Sequence, residues 1–458
     1  MKRLVVVSNR CNVPRGGSVP GGLAVALTAA LRECGGLWFG WDGKVAEDSG
    51  RKPAMAQVDR VDYATLPLAR DAYEGYYKGY ANRVLWPLCH YRVDSIQYRH
   101  WFEDRYWRTN ELFARKLLPL LGTDDRIWVH DYHLIPLGSA LREADVRQPL
   151  GFFLHIPFPA PDVLRALPQW HRLLWDLCAY DLVGFQTRDD AQNFLEALRR
   201  LTRAKVGRDG AVDWDGRRSR AAAFPISIDV EEVCRMVDDG RDIRTVRGLE
   251  RSLQGRALIV GVDRLDYSKG LPERFQSYAH LLANYPQVHG RLVFLQVAQP
   301  SRADVPEYEH LKARLEAIVG HINGEFAEFD WAPIRYINKS YARATIMNFL
   351  AMARVGLVTP LRDGMNLVAK EFIAAQTSED PGVLILSEFA GAARELDSAL
   401  LVNPYDQESV ADALGRAMDM PIEERRERWQ HALDRIRGND IFQWSRSFLE
   451  ALERCRSS

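Results

Sequence analysis

Residues able to carry chemistry recur at one kind of place in this chain, where a short apolar run ends and a turn opens. Val355 to Ala374, VGLVTPLRDGMNLVAKEFIA, shows the arrangement most fully. Val355 to Val358 reads as a buried strand, Pro360 ends it and Gly364 permits a tight turn, after which Met365, Leu367, Val368 and Phe372 repeat at helical spacing. The turn therefore becomes a helix N-terminus. There the N–H groups of Gly364, Met365 and Asn366 suit an anion, Asp363 is placed to accept hydrogen bonds from hydroxyls, and Glu371 stands one face further along. A ligand with both phosphate and hydroxyl groups, such as a sugar nucleotide, fits that chemistry.

Comparable strand ends recur. Arg10 follows the run RLVVVSN, and Gly16, Gly17, Gly21 and Gly22 then make a glycine loop that lacks both the P-loop ending and the dinucleotide spacing. IWVH ends in Asp131-Tyr132-His133, LGFFLHI carries His155, ALIVGVD runs into Arg264-Leu265-Asp266-Tyr267-Ser268-Lys269-Gly270, and Arg302 follows Arg291 to Ala298. Two histidines beside Asp131 suggest a metal, but neighbours on a strand point to opposite faces, so Asp131 reads better as a catalytic or hydroxyl-binding residue. Asp213-Trp214-Asp215 mimics a metal-holding carboxylate pair; Asp209-Gly210 and Asp215-Gly216 bracket it as a hairpin instead. The aromatics Tyr73, Tyr76, Tyr77, Tyr80, Trp86, His90 and Tyr91 suit sugar faces, although most such residues are core.

The elements that must position these residues are short apolar strands alternating with helical patterns, which predicts an α/β fold of parallel, doubly wound sheets. At 458 residues the chain exceeds one ordinary core, and its two halves share one layout. A first domain is expected over 1–235, a second over 236–438, and a C-terminal helix over 439–458 packing back on the first. Val230 to Arg251 reads as a hinge, and the arginines of Pro421 to Arg456 as a solvated face. Lys plus Arg and Asp plus Glu both number 61, so no global charge draws the chain to nucleic acid or an acidic membrane, and any anion needs a local pocket. No apolar run is long enough for a signal peptide or a membrane span, so a cytoplasmic location is expected. Cys11, Cys34, Cys89, Cys178, Cys234 and Cys455 lack CxxC spacing and predict reduced thiols.

The motifs SNR, GGL, GLWFGW, LWP, HDYHL, GFFLHIPFP, LVGFQT, RLDYSKG, PLRDGMNLVAKE, EFAGAA and LVNPYD, running nearly end to end, resemble the trehalose-6-phosphate synthase family of retaining sugar-nucleotide glycosyltransferases. The resemblance implies a GT-B fold, two Rossmann-like domains facing across a cleft, and transfer of glucose from a nucleoside diphosphate glucose, UDP-glucose foremost, to glucose 6-phosphate. By the same resemblance Gly21, Gly22, Arg264, Lys269 and the backbone of Leu367 and Val368 hold the diphosphate, and Glu371 engages the ribose. His155, Asp363 and the Gly364-Met365-Asn366 turn hold the glucose, and Tyr341 joins the donor set. Arg10, Trp41, Tyr77, Trp86, Asp131 and Arg302 form the acceptor pocket, with Arg10 and Arg302 on the phosphate. No cofactor or metal is expected, since Arg264, Lys269 and helix-end amides can stabilise the departing diphosphate; a homo-oligomer is expected, and, because no DxDxT follows a strand, a separate phosphatase acting on the product.

The loop Cys11 to Pro20 departs from the family pattern and borders both ligands, so it bears on acceptor choice; Cys11 to Gly22 is the segment expected to order on donor binding. Two alternatives stand beside this reading: a sister transferase with another phosphorylated acceptor such as glycerol 3-phosphate, and a sugar-nucleotide sensor without turnover.

Overall fold

Strands form where β-branched and aromatic residues run without interruption, because a strand covered on both faces has no side that favours polar residues. The computed structural model describes residues 2–11, 13–14, 27–28, 30–32, 34–47, 52–300 and 306–457. Gly21, Gly22, Arg302 and most of the loop from Cys11 to Gly22 lie outside the described residues. The chain divides into two compact units, Met1–Ile226 with Ile441–Ser458, and Ser227–Asp440.

The first unit holds β1 (Leu4–Arg10), β2 (Gly36–Ala46), β3 (Ala54–Val58), β4 (Val61–Ala69), β5 (Arg126–His130), β6 (Leu150–Phe153), β7 (Leu182–Phe185), β8 (Lys205–Val206), β9 (Ala211–Trp214) and β10 (Arg217–Ala223). They form one sheet in the order β3-β4-β2-β1-β5-β6-β7-β10-β9-β8. From β4 to β10 in that order every pairing is parallel; β3 at one edge and β9 and β8 at the other are antiparallel. The β9–β10 hairpin turns at Asp215 and Gly216, both at positive φ, so Asp213 is a hairpin residue, as its flanking turn signals predict.

The C-terminal helix Ile441–Ser457 covers one face of this sheet. Its Phe448 ring stacks on Trp128 at 4.6 Å and lies where a Cβ on Gly151 or Gly184 would stand only 2.7 Å from it. Glycines on adjacent strands thus create the slot that the ring fills.

The second unit holds β11 (Ala257–Arg264), β12 (Leu292–Gln299), β13 (Ile334–Ile337), β14 (Val355–Val358), β15 (Val383–Ser387) and β16 (Leu400–Val402), all parallel, in the order β13-β12-β11-β14-β15-β16. The order reverses beside β11, which makes the carboxyl ends of β11 and β14 the switch point where such sheets bind ligands. The stretch from Val230 forms the helices Val230–Gly240 and Arg244–Leu253, both in this unit.

Two features depart from the sequence expectation. Tyr73–Leu85 is a π-helix, a geometry that composition does not reveal. The C-terminal arginines are also more than a solvated face: Arg425 is buried, donates to the Pro381 carbonyl at 2.7 Å and pairs with Asp380, because its helix packs against the segment before β15.

Replacing Phe448 by Ala leaves two glycines facing a void and is expected to cost about 3–5 kcal/mol of unfolding free energy in urea titration. A loss below about 1 kcal/mol contradicts the slot.

Candidate functional site

In the first unit the candidate residues collect at the carboxyl ends of β1, β2 and β5. Arg10 closes β1 in register with Trp41 of β2, and its guanidinium lies 4.5 Å from the Trp41 ring centre. Tyr77 meets Trp41 at 5.2 Å and stacks on His133 at 5.8 Å. The π-helix that carries Tyr77 is tied to two strand ends: Tyr76 donates its hydroxyl proton to Asn9 Oδ1 (2.8 Å), and Tyr132 donates to Asn82 Oδ1 (2.9 Å). Its Gly75 and Gly79, four apart on one face, admit helix His100–Leu117 so closely that a Cβ on Gly79 would meet the Phe102 ring at 2.5 Å. Trp86 is buried against His90 and Tyr132.

Asp131 stands just past β5 at φ +76°, ψ 162°, a conformation that costs a non-glycine residue about 1–3 kcal/mol and that concentrates at functional sites. Its Oδ1 accepts the His155 N–H at 3.3 Å, and its own N–H donates to the Phe153 carbonyl at 2.8 Å. The segment after β6 is thereby fastened to the end of β5.

His155 belongs to a hydrogen-bond chain that the sequence did not disclose. The Ile226 N–H donates to Gln186 Oε1 (3.0 Å), so the Gln186 amide nitrogen faces His155 Nδ1 (3.4 Å) as donor. That assigns the His155 proton to Nε2, which donates to His130 Nδ1 (3.1 Å). His130 then carries its proton on a buried Nε2 that has no hydrogen-bond partner among the described residues, packed 4.5 Å from Trp128. Burial pulls the His155 pKa down to about 3; burial, then the proximity of His155, holds His130 well below the usual imidazole range. Both rings are neutral. Among the described residues no three His, Cys, Asp or Glu side chains gather as a metal site.

In the second unit the loop after β11 and the turn after β14 meet at the switch point. Gly270, at φ +64°, lies where a Cβ would come 2.6 Å from the Thr359 carbonyl, so only glycine permits the approach. The Leu361 N–H donates to the Ser268 carbonyl at 2.9 Å and joins the two segments. Lys269 Nζ pairs with Asp363 Oδ2, which also accepts from Asn366 Nδ2 at 3.0 Å. The residues expected to serve diphosphate and sugar separately are therefore in direct contact. Arg264 is exposed at the end of β11.

Asn366, at φ +71°, precedes helix Leu367–Ala375 and carries a second strained non-glycine backbone. The turn is pinned from the side by the segment after β15: Gly391 N–H donates to the Asp363 carbonyl (3.1 Å) and Ala392 N–H to the Met365 carbonyl (2.8 Å). A Cβ on Gly391 would come 1.9 Å from the Gly364 carbonyl, which is why EFAGAA carries glycine there. In that helix Lys370 turns inward to Glu395 (2.7 Å) and anchors it, while Leu367 and Val368 remain half-buried beside the turn. Glu371 is buried and paired with Arg343 at 3.0 Å; burial raises its carboxyl pKa and Arg343 opposes the rise. Tyr341 is half-buried against Phe349 at 5.4 Å.

Beneath the site lies Arg274, fully buried on helix Leu271–Asn284. Its guanidinium donates to Asp263, Gln296 (2.9 Å), Thr359 (2.9 Å) and the Lys269 carbonyl (3.3 Å). An arginine on the apolar stripe of Leu271, Phe275 and Tyr278 was a legible signal of this role. Gln186 and His130 carried a weaker one, a polar residue closing an apolar strand; Arg343 carried none.

The model of glycosyltransferase family 20 matches residues 12–454. The trehalose-6-phosphate synthase of Sodalis glossinidius (strain morsitans) is 46% identical over 458 residues, 100% of this chain and 97% of the relative. The Burkholderia xenovorans alpha,alpha-trehalose-phosphate synthase (UDP-forming), solved in complex with glucose-6-phosphate, superposes with TM-score 0.96 at 46% identity, over 98% of this chain and 100% of the other. An E. coli protein solved bound with UDP-2-fluoro glucose has TM-score 0.94 at 45% identity, over 98% of each chain.

The neutral histidines set a pH dependence. In the unfolded chain His155 binds a proton near pH 6.5, whereas in the folded chain it does so only near 3, so folded stability is complete above about 6.5 and is lost progressively as pH falls toward 3. Urea unfolding between pH 7 and 5, where carboxylates contribute little, should show this loss in the wild type and a shallower one in His155→Gln. Equal slopes would contradict the buried neutral assignment.

Proposed function

The chain belongs to glycosyltransferase family 20, and from this premise we propose that it transfers glucose, with retention, from UDP-glucose to glucose 6-phosphate, giving α,α-trehalose 6-phosphate and UDP. The observation that carries the reading is the switch point of the second unit, where the Lys269–Asp363 pair, Arg264 and a strained turn opening a helix stand at the ends of β11 and β14. A sugar nucleotide has phosphates for the cations and hydroxyls for the carboxylate.

As the bond from the anomeric carbon to the phosphate oxygen breaks, negative charge grows on the diphosphate, and fixed cations stabilise it more in the transition state than in the ground state. Arg264 and Lys269 take this part, with the backbone of Leu367 and Val368, Gly21 and Gly22 completing the diphosphate contacts. Asp363, His155 and the Gly364-Met365-Asn366 turn hold the glucose, Glu371 the ribose, and Tyr341 joins the donor-binding set. The acceptor hydroxyl forms the new bond to the anomeric carbon on the face the diphosphate leaves, and its proton passes to the departing phosphate oxygen. Asp131 positions that hydroxyl, so no carboxylate nucleophile is required. Arg10 and Arg302 suit the acceptor phosphate because a guanidinium fork matches its oxygens, with Trp41, Tyr77 and Trp86 walling the sugar.

On this reading most acceptor residues (Arg10, Trp41, Tyr77, Trp86 and Asp131) belong to the first unit and the donor residues Arg264, Lys269, Asp363 and Glu371 to the second, and the protein is a cytoplasmic homo-oligomer whose product goes to a separate phosphatase. No helix among the described residues is long and apolar enough to cross a membrane.

The test is release of nucleoside diphosphate over a matrix of UDP-, ADP- and GDP-glucose against glucose 6-phosphate and glycerol 3-phosphate. Turnover is expected with UDP-glucose and glucose 6-phosphate, and Lys269→Ala should lower kcat by about a hundredfold or more while chelator changes little. No release with glucose 6-phosphate, or full activity in Lys269→Ala, overturns the reading.

A further inference from the structure

Glu371, proposed above to engage the ribose, has a partner that lies outside the motifs carrying the family resemblance. Arg343 is the first residue of helix Arg343–Ala351, 28 positions before Glu371 and 111 after Glu232. Its guanidinium spans the two: Nε and Nη2 donate to Glu371 Oε1 at 3.3 and 3.0 Å, and Nη1 donates to Glu232 Oε2 at 2.7 Å. Glu232 belongs to helix Val230–Gly240, where the Asp229 side chain caps the Glu232 N–H at 2.9 Å. That helix is seated rigidly on Arg343–Ala351. Asn348 Nδ2 reaches the Met236 carbonyl at 3.1 Å, and a Cβ on Gly240 would stand 2.1 Å from the same nitrogen. The guanidinium is therefore held by a carboxylate on one packed helix while gripping a carboxylate on another.

The grip is one-sided. Both hydrogen bonds to Glu371 fall on Oε1, and among the described residues none reaches Oε2, an atom that is also absent from the buried, unsatisfied set. A carboxylate locked through one oxygen presents the other in a fixed direction, and the lone pairs of that oxygen suit acceptance from vicinal hydroxyls.

We propose that Arg343 is a positioning residue for nucleotide recognition, fixing Glu371 so that Oε2 accepts from the ribose hydroxyls of the donor, with Glu232 as the brace that fixes Arg343 in turn. This rests on the reading of the chain as a nucleoside diphosphate glucose transferase. The electrostatics agree with the geometry. Burial disfavours the Glu371 anion and Glu232 adds to that, while Arg343 counters both; the guanidinium itself is held charged because the two carboxylates outweigh its own burial.

A guanidinium that only held the helices together would affect every substrate alike. A positioning role confines the effect to donors that carry the hydroxyls. The experiment is therefore steady-state kinetics of the full chain with UDP-glucose and with its 2′,3′-dideoxyribose analogue, in wild type, Arg343→Gln and Arg343→Lys. The wild type should prefer the ribose donor through KM. Arg343→Gln should raise the UDP-glucose KM by about tenfold or more, leaving the glucose 6-phosphate KM within about twofold, and should have little further effect on the dideoxy donor. Arg343→Lys, which keeps the charge in a narrower head and is the safer variant to fold, should recover part of the loss. Equal KM increases for the two donors in either variant, or a matching rise for glucose 6-phosphate, overturn the proposal and leave Arg343 structural. A wild type that treats both donors alike overturns it at Glu371. Absence of UDP release with every acceptor is a different failure, that of the functional reading itself.

Discussion

The ligand end of the second unit depends on one buried guanidinium. Arg274 joins Asp263 near the end of β11, Gln296 of β12 and Thr359 just past β14, and it reaches the carbonyl of Lys269 in the loop between β11 and its helix. Three strands and one loop are thereby held at a common point, which is where the strand order reverses. The arrangement is demanding. A buried cation is tolerable only when paired and fully hydrogen-bonded, and removing one partner of such a pair costs about 3–5 kcal/mol. The chemistry makes room for it: a Cβ on Gly261 would come 2.3 Å from Gln296 Oε1 and 2.9 Å from the guanidinium, so β11 carries glycine where the cluster crosses the sheet.

Rigidity beneath the site lets the site itself be strained. The turn 363–366 has a non-glycine residue in left-handed conformation, and the backbone of 389–392 crosses it so closely that only Gly391 fits. Neither feature would persist on a loose loop, because strain survives only where surrounding contacts over-determine it. Lys269 profits directly. Its carbonyl is held from below by Arg274 and its ammonium from the side by Asp363, with only 11% and 14% of the two side chains exposed, so little water screens the charge that a diphosphate would meet.

What the sequence disclosed and what it hid follow one physical division. Local signals were legible: β14, its turn and the helix beyond were readable because Pro360, Gly364 and the helical spacing of apolar residues act within a few positions of one another. The hairpin at Asp215-Gly216 was legible for the same reason. Partnerships across long sequence separation were not. Arg343 looks like any arginine at a helix start, and its two carboxylates lie 28 and 111 residues away. Arg425 sits in a run of arginines that are mostly solvated, and only the packing of its helix distinguishes it. The π-helix Tyr73–Leu85 contains ordinary helix formers and aromatics, so its register comes from the tethers Tyr76–Asn9 and Asn82–Tyr132 rather than from propensity. The motif resemblance supplied roles for Asp363 and Lys269 but gave no hint that they touch.

The pairing of charges also bears on which ligands the second unit admits. Lys269 is matched by Asp363, Arg343 by Glu371 and Glu232, and Arg274 by Asp263, so these three cations are set among carboxylates within a chain whose formal net charge is zero. A simple polyanion would meet attraction and repulsion together, and its phosphates would compete with Asp363 and Glu371 for the cations that those carboxylates already hold. A ligand that carries hydroxyls at fixed distances from its phosphates satisfies both sets at once, since each hydroxyl donates to a carboxylate that an adjacent cation already orients. Discrimination of this kind would need no excess of positive charge, because a phosphate drawn to one of these cations would weaken an ion pair already made, whereas a hydroxyl donor would not. On the proposed function, these paired charges would select against bare phosphates as much as hold the sugar nucleotide.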